Sequence, residues 1–287
     1  PNYLPQVLES GVDTRLILLC TDDNHPNTLV NEGGMDRALR AVLECGCDPV
    51  TALQFATINA AQCLGVDQDM GSITPGKCAD MVILPDLETF IPEQVYIDGD
   101  LVAQDGKATF DHDLFEWPEF MTHTMNVGRT FTAADFEIPV DRPDGMCRVR
   151  AIGGVGGSTI TEDAVIEVPV VDGKLQANPA IDALKMAVFD RHHGAEGTHS
   201  FGFCTGFGVH GALAQTVAHD SHNLLVVGDN DEDMALAAQT LVECGGGEVA
   251  VQDGRVLALV ELPVCGLMSD KHVEEVAQEV AAIEQAW

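Results

Sequence analysis

An unbroken run of apolar residues at positions 16–20 ends in the polar residues Thr21, Asp22 and Asp23. Because no polar residue alternates with the apolar ones, the run predicts a strand covered on both faces, as in a parallel sheet. A carboxylate at the carboxyl end of such a strand lies where barrel and open-sheet enzymes place their catalytic groups. A strand followed by an Asp-rich turn would explain the same residues. Asp22 and Asp23 are therefore the first candidates for chemistry.

The next apolar positions recur with helical spacing. They share one face over residues 35–45, which predicts an amphipathic helix. Asp48 and Pro49 have the residue types of an N-cap and a first helical position, so a second helix begins there and ends at Gly65. A short apolar strand at 81–84 and a hairpin with its turn at Asp98-Gly99 predict a small β unit after the helices.

The pattern changes near residue 135. Residues 106–134 fit neither the helical nor the strand period, whereas the remainder predicts an α+β domain without internal repeats. The predicted elements are strands at 136–140, 149–152 and 164–170, a helix at 179–189, a helix after 228–230, a hairpin over 249–260, and a last helix capped by Ser269 and Asp270.

Composition narrows the class of protein. The chain has 287 residues with 46 acidic and 14 basic side chains, and its formal net charge of −32 disfavours nucleic acid or an anionic membrane as a partner. No apolar run is long enough to cross a membrane and no signal peptide pattern opens the chain, so a cytoplasmic location is expected. The nine cysteines are scattered, which favours reduced thiols over disulfides.

The densest group of candidate functional side chains is His219-Asp220-Ser221-His222-Asn223. Two imidazoles and a carboxylate within five residues can bind a metal, relay protons or hydrogen-bond a polar heterocycle. A polar turn capped by Asp220 and Asn223 is the alternative. A serine-hydrolase triad is rejected because Ser221 lacks a nucleophile elbow. The glycines at 153–157 lack the lysine of a phosphate-binding loop, and the zinc motif of cytidine deaminases is absent from the sequence.

The first hundred residues resemble the carboxyl end of an amidohydrolase-superfamily (β/α)8 barrel. The resemblance is carried by a strand ending in Thr21-Asp22, by Asn59-Ala60-Ala61 in the second helix, and by the turn Gly-x-Ile-x-Pro-Gly-x-x-Ala-Asp at 71–80. In that superfamily such a turn leads back into a β-sandwich beside the barrel, and the acid after the eighth strand binds metal. The resemblance therefore favours Asp22 over Asp23.

The second half resembles the carboxyl-terminal domain of bacterial and archaeal adenine deaminases. The matching motifs lie at residues 191–192, 206–212, 217–224, 233–235, 245–247 and 262–269. The sequence at 219–223 is highly specific to that family, so the functional interpretation of these five residues is preferred to the polar turn. The implied organisation is 1–66 for the last barrel strand and helices, 67–110 for the β-sandwich return, 111–134 for a linker and 135–287 for the α+β domain.

The resemblance implies conversion of adenine and water to hypoxanthine and ammonia by hydroxide bound to a pair of divalent metals, with manganese, iron and zinc as candidates. Asp22 would bind one metal and transfer the proton of the attacking water to the leaving nitrogen. The other ligands are expected before residue 1, so the chain is interpreted as a fragment that is inactive alone. Residues assigned to substrate binding or site closure are Asp23, Arg191, His192, His219, Asp220, His222 and Asn223.

Two other functions remain open at this point. Another cyclic amidohydrolase or deaminase would share the motifs of the first hundred residues, while an isolated domain without most metal ligands would be non-catalytic. The expected partners are adenine and further copies of the chain in a homo-oligomer.

Overall fold

The computed structural model describes residues 3–110, 115–156 and 160–286. It forms two compact units, Pro1–Asp113 and Leu114–Trp287. Both units mix helices and strands, which confirms the predicted α and β content, whereas the arrangement as the end of a barrel stays a prediction. No helix in the described ranges is long and apolar enough to cross a membrane.

The amino-terminal unit consists of short helices followed by a small sheet. Its helices are α1 (Leu4–Glu9), α2 (Pro26–Asn31), α3 (Met35–Glu44), α4 (Pro49–Ala56) and α5 (Ile58–Leu64), and its strands are β1 (Met81–Ile83), β2 (Gln94–Ile97), β3 (Asp100–Gln104) and β4 (Lys107–Ala108). The four strands are antiparallel neighbours in chain order. The hairpin at Asp98-Gly99 is confirmed, and both of these residues have positive φ angles.

The predicted helices of this unit form, with one difference. Asp48 accepts a hydrogen bond from the Thr51 amide at 3.0 Å, as expected of an N-cap. The helix that this cap begins is interrupted at Thr57, which separates α4 from α5, and it ends at Gly65 in the left-handed region with φ +72°. A core of Leu39, Phe55 and neighbouring apolar residues joins the helices.

The strand predicted from residues 16–20 is wrong for this chain. Thr14–Leu16 is a 3₁₀ turn and residues 17–23 form no strand, while Leu16 is 82% exposed and Leu18 42%. A parallel strand requires a neighbour, and the strands described in this unit belong to the separate antiparallel sheet. The Leu19 amide instead donates to the carbonyl oxygen of Phe55 at 3.0 Å.

The carboxyl-terminal unit is built on a ten-stranded mixed sheet. Its strands are β5 (Ile138–Pro139), β6 (Gly145–Gly154), β7 (Thr161–Val171), β8 (Lys174–Leu175), β9 (Leu184–Phe189), β10 (His199–Thr205), β11 (Ala212–Gln215), β12 (Leu224–Gly228), β13 (Gly247–Gln252) and β14 (Arg255–Glu261), and its helices are α6 (Glu119–Thr122), α7 (Asp231–Cys244) and α8 (Val273–Gln285). The order is β14-β13-β11-β12-β9-β10-β6-β7-β8-β5, with β10 and β6 parallel. Predicted strands and helices in β6, β7, β13, β14, α7 and α8 are confirmed. The predicted cap of the last helix at Ser269 and Asp270 is wrong, because α8 begins at Val273 and His272 occupies its N-cap position.

Helix α7 packs on the sheet and organises its main core. Asn230 caps the helix by accepting from the Asp233 amide at 2.8 Å, and acidic residues in the first turn complement the helix dipole. The core also contains Val127 and Phe131, which come from the segment 111–134 that was predicted to be a linker. The described part of that segment therefore contributes to folding of this unit, and the finer domain boundaries remain predictions.

The helix predicted at 179–189 is wrong. Pro179–Ile181 is a single 3₁₀ turn, and Leu184–Phe189 is the strand β9, which lies between β10 and β12. Alanine, leucine, lysine and methionine favour a helix locally, but a strand with neighbours on both edges gains ladder hydrogen bonds and burial that outweigh this preference. The strand predicted at 136–140 is likewise reduced to Ile138–Pro139 after a 3₁₀ turn at Ala133–Phe136.

Candidate functional site

Asp22 and Asp23 lie on an exposed turn of the amino-terminal unit. Asp22 has a positive φ of 55°, a conformation that aspartate tolerates better than most residues. Its Oδ1 accepts a hydrogen bond from the Asp23 amide at 2.9 Å, so the carboxylate stabilises its own turn.

Asn59 holds the segment that leads to these two acids. Its side chain is 6% exposed, and its Nδ2 donates to the carbonyl oxygens of Thr14 at 2.9 Å and Ile17 at 2.7 Å. These bonds join helix α5 to the chain just before Asp22. The sequence analysis used Asn59 only as part of a family motif, and its partners 45 and 42 residues away carry no local sequence signal.

The described residues do not by themselves complete a site for the divalent metal that the resemblance implies. Within residues 3–110, 115–156 and 160–286, no group of three or more His, Cys, Asp or Glu side chains is arranged to hold a metal ion. Asp22 is one carboxylate without companion ligands there, and a catalytic metal site requires about three protein ligands. No chemical step through a metal is therefore derived from this chain.

The five residues 219–223 form a turn between β11 and β12, here called the 219–223 loop. Its base is fixed: His222 has a φ of 51°, its amide donates to the Ala218 carbonyl oxygen at 3.0 Å, and its Nδ1 lies 2.7 Å from the Val217 carbonyl oxygen. His219, Asp220 and Ser221 are exposed. The loop thus presents an imidazole, a carboxylate and a hydroxyl to solvent from an ordered base.

Residues 190–193 form a second turn next to the 219–223 loop. The Asp190 carboxylate accepts from the His192 amide at 2.7 Å and from the His193 amide at 3.1 Å, and it lies 2.7 Å from the His193 Nδ1. These hydrogen bonds, chiefly that of the His192 amide, lower the pKa of Asp190 to about 2. The His192 Nε2 lies 3.4 Å from the Ser221 carbonyl oxygen, so the structure brings the two predicted motifs together.

Arg191 and Asn223 lie beneath this surface. The Arg191 side chain is 1% exposed, and its Nε donates to the His222 carbonyl oxygen at 2.6 Å. Burial lowers the pKa of Arg191 from its usual value. Oδ1 of Asn223 is buried and has no hydrogen-bond donor within the parts of the chain that are described. Among the predicted site residues, His219 and Asp220 are therefore exposed, whereas Arg191 is buried and supports the loop through its bond to His222.

The turn at 190–193 is expected to be acid-sensitive. The pKa of Asp190 is about 2 in the folded chain against 3.8 for an unperturbed aspartate, so its ionised form stabilises the turn above pH 3.8 and this contribution is lost as the pH falls toward 2. Asp190→Asn should remove the acid-dependent part of the change in this turn, as followed by NMR shifts of the His192 and His193 amides between pH 5 and pH 2. Glu196→Gln, an exposed substitution nearby, is the control and should leave that dependence unchanged.

Comparisons with known proteins find one family match in each unit. Residues 2–102 match the model of the amidohydrolase family, and residues 158–287 match the model of the adenine deaminase C-terminal domain. The chain therefore combines a segment that matches the amidohydrolase family with a segment that matches the C-terminal domain of adenine deaminases.

Curated relatives specify the family more closely. Adenine deaminases from Clostridium botulinum (strain 657 / Type Ba4) and Moorella thermoacetica are 48% and 44% identical over 98% and 99% of the chain. The adenine deaminase of Roseobacter denitrificans is 44% identical over 99%. The chain belongs to the adenine deaminase family, and it spans about half the length of these relatives, 47–48% of each.

A solved amidohydrolase from Thermotoga maritima MSB8 shares 29% identity over 35% of this chain and 25% of that protein. Its TM-score of 0.29 does not define a common fold.

Proposed function

We propose that this chain acts as the carboxyl-terminal part of an adenine deaminase, which converts adenine and water to hypoxanthine and ammonia. The observation that supports the proposal best is the identity of 42–48% to curated adenine deaminases along nearly the whole chain. The domain match over 158–287 adds support from the half that an unrelated amidohydrolase would lack.

In the proposed reaction, Asp22 is the general base and acid. Its carboxylate takes a proton from the attacking water while the water oxygen bonds to the ring carbon that carries the amino group. The protonated carboxyl then gives the proton to the leaving nitrogen as the carbon–nitrogen bond breaks and ammonia departs. Its exposed position, and the support of the preceding segment by Asn59, are compatible with this role.

The proposal includes a divalent metal pair, with manganese, iron or zinc as candidates, and Asp22 as one ligand. The remaining ligands would come from residues outside those described here. In the complete enzyme, the first hundred residues would belong to the carboxyl end of a (β/α)8 barrel and its β-sandwich return. The proposed partners are adenine and further copies of the chain. The net charge of −32 disfavours nucleic acid and anionic membrane.

In this proposal the 219–223 loop and the neighbouring His192 serve adenine binding or closure of the site, and Arg191 acts through the loop. Asp23 is proposed for the same role in the amino-terminal unit. The exposed side chains of His219 and Asp220 supply a donor, an acceptor and a charge suited to a polar heterocycle. His219→Ala is expected to raise KM for adenine with a smaller effect on kcat. Unchanged kinetic constants in His219→Ala and His222→Ala would contradict a role of the loop in adenine binding and indicate a purely structural one.

The proposal is tested on the natural gene product that contains this chain, purified and loaded separately with manganese, iron or zinc. Release of ammonia is measured with adenine and with a panel of other purines, pyrimidines and cyclic amides. Preferential release from adenine supports the proposal. Preferential turnover of another heterocycle would assign a different substrate, and absence of all turnover by the folded, metal-loaded protein would favour a non-catalytic domain.

A further inference from the structure

Arg191 carries a buried positive charge without a carboxylate partner in the described chain. Its side chain is 1% exposed, yet the groups that accept its hydrogen bonds are neutral: carbonyl oxygens, a hydroxyl and a thioether. Removing a guanidinium from water is costly, and most buried charges are paired. At Arg191 this cost is offset by hydrogen bonds to main-chain carbonyl oxygens. The buried guanidinium therefore stabilises the main-chain segments that carry these oxygens.

The guanidinium joins three segments that are far apart in sequence. Nε donates to the His222 carbonyl oxygen at 2.6 Å, Nη2 to that of Cys265 at 2.9 Å, and Nη1 lies 3.5 Å from that of Thr124. The donors of a guanidinium lie on three nitrogens spread over a plane, so they reach acceptors in three separate segments. The donors of a lysine ammonium share one nitrogen and cannot reach all three segments. Gly266 permits this approach, because a Cβ there would lie 2.7 Å from Nη1.

The contact at His222 is made at the base of the 219–223 loop. The same residue is held by its amide and by its ring, through Ala218 and Val217. His219, Asp220 and Ser221 of the same loop are exposed. Arg191 therefore contacts the part of the loop that determines its conformation and is itself hidden from a molecule that approaches the exposed side chains.

We infer that Arg191 is a positioning residue, which fixes the 219–223 loop through the carbonyl oxygen of His222 and ties it to the segments at Thr124 and Cys265. It acts on substrate only through that loop. The inference deepens the proposed function and rests on it for the kinetic consequence, whereas the structural consequence can be measured independently.

The test compares Arg191→Lys and Arg191→Gln with the parent chain by hydrogen exchange. Peptides that contain the His222 amide report on the loop, and peptides from α7 report on the stability of the unit. Arg191→Lys keeps the charge but loses the fork, so exchange in the loop should accelerate about tenfold or more while α7 changes little. Arg150→Gln, which removes an exposed arginine with 82% side-chain exposure, is the matched control.

Unchanged loop exchange in Arg191→Lys, or equal acceleration in the loop and α7, would overturn the inference. If Arg191→Gln unfolds the unit, the exchange of the loop in Arg191→Lys alone tests the inference. In the complete enzyme, Arg191→Lys should raise KM for adenine more than it lowers kcat, as expected when a binding surface loses its conformation. An inactive parent enzyme would refute the proposed function, while the exchange result would still judge the role of Arg191.

Discussion

Asp22→Asn is expected to lower kcat for adenine deamination by about 10²- to 10⁴-fold, the range that general acid–base groups contribute. The carboxamide keeps the size of the side chain, and its oxygen can still accept from the Asp23 amide, as Asp22 Oδ1 does at 2.9 Å. It cannot take and return a proton. The loss should therefore be catalytic, with unchanged circular dichroism, and steady-state ammonia release by the natural gene product is the measurement.

Asp23→Asn is the matched control for this prediction, because it removes the same charge from the next residue of the same exposed turn. We expect its effect on kcat to be much smaller. A larger loss in Asp23→Asn than in Asp22→Asn would reverse the assignment of the two acids. Wild-type kcat in both variants would remove this turn from the chemistry.

Phe136→Ala should destabilise the carboxyl-terminal unit by about 3–5 kcal/mol, the usual cost of deleting a buried aromatic ring. Phe136 is 0% exposed, and its ring centroid lies 5.9 Å from that of Phe131 and 5.4 Å from that of Phe189. The substitution opens a cavity between the sheet and the segment that precedes it. Urea unfolding followed by tryptophan fluorescence is suited to the measurement, because Trp117 belongs to this unit.

Phe120→Ala provides the comparison, since the Phe120 side chain is 78% exposed in the same unit. Its free energy of unfolding should stay within about 0.5 kcal/mol of the parent chain. Similar losses in Phe120→Ala and Phe136→Ala would contradict the assignment of Phe136 to the core.

The sequence predicted correctly those elements that are determined by neighbouring residues, such as a helix cap or a turn pair. Helix α7 follows from its Asn230 cap and its acidic first turn, and the hairpin at 98–99 follows from an Asp-Gly pair. Sequence reasoning failed where long-range pairing decides. Leu184–Phe189 has helix-forming residues but is a strand because β10 and β12 flank it. Residues 16–20 have a strand pattern, but no strand forms because the unit described here offers no partner.

The candidate site shows the same division between local and distant information. The sequence indicated His219–Asn223 and Arg191-His192 as separate motifs, and the structure brings them together at the contact between His192 and Ser221. The supporting role of Arg191 depends on acceptors 31 and 74 residues away, and that of Asn59 on acceptors more than 40 residues away. Such partners are set by the fold and have no signal in the neighbouring sequence.

The most direct measurement of the central proposal is the conversion of adenine by the natural gene product, followed simultaneously as hypoxanthine and ammonia. The proposal predicts the two products in equal amounts, in a metal-loaded preparation, with turnover reduced in Asp22→Asn. A folded, metal-loaded protein that forms neither product from adenine would contradict it.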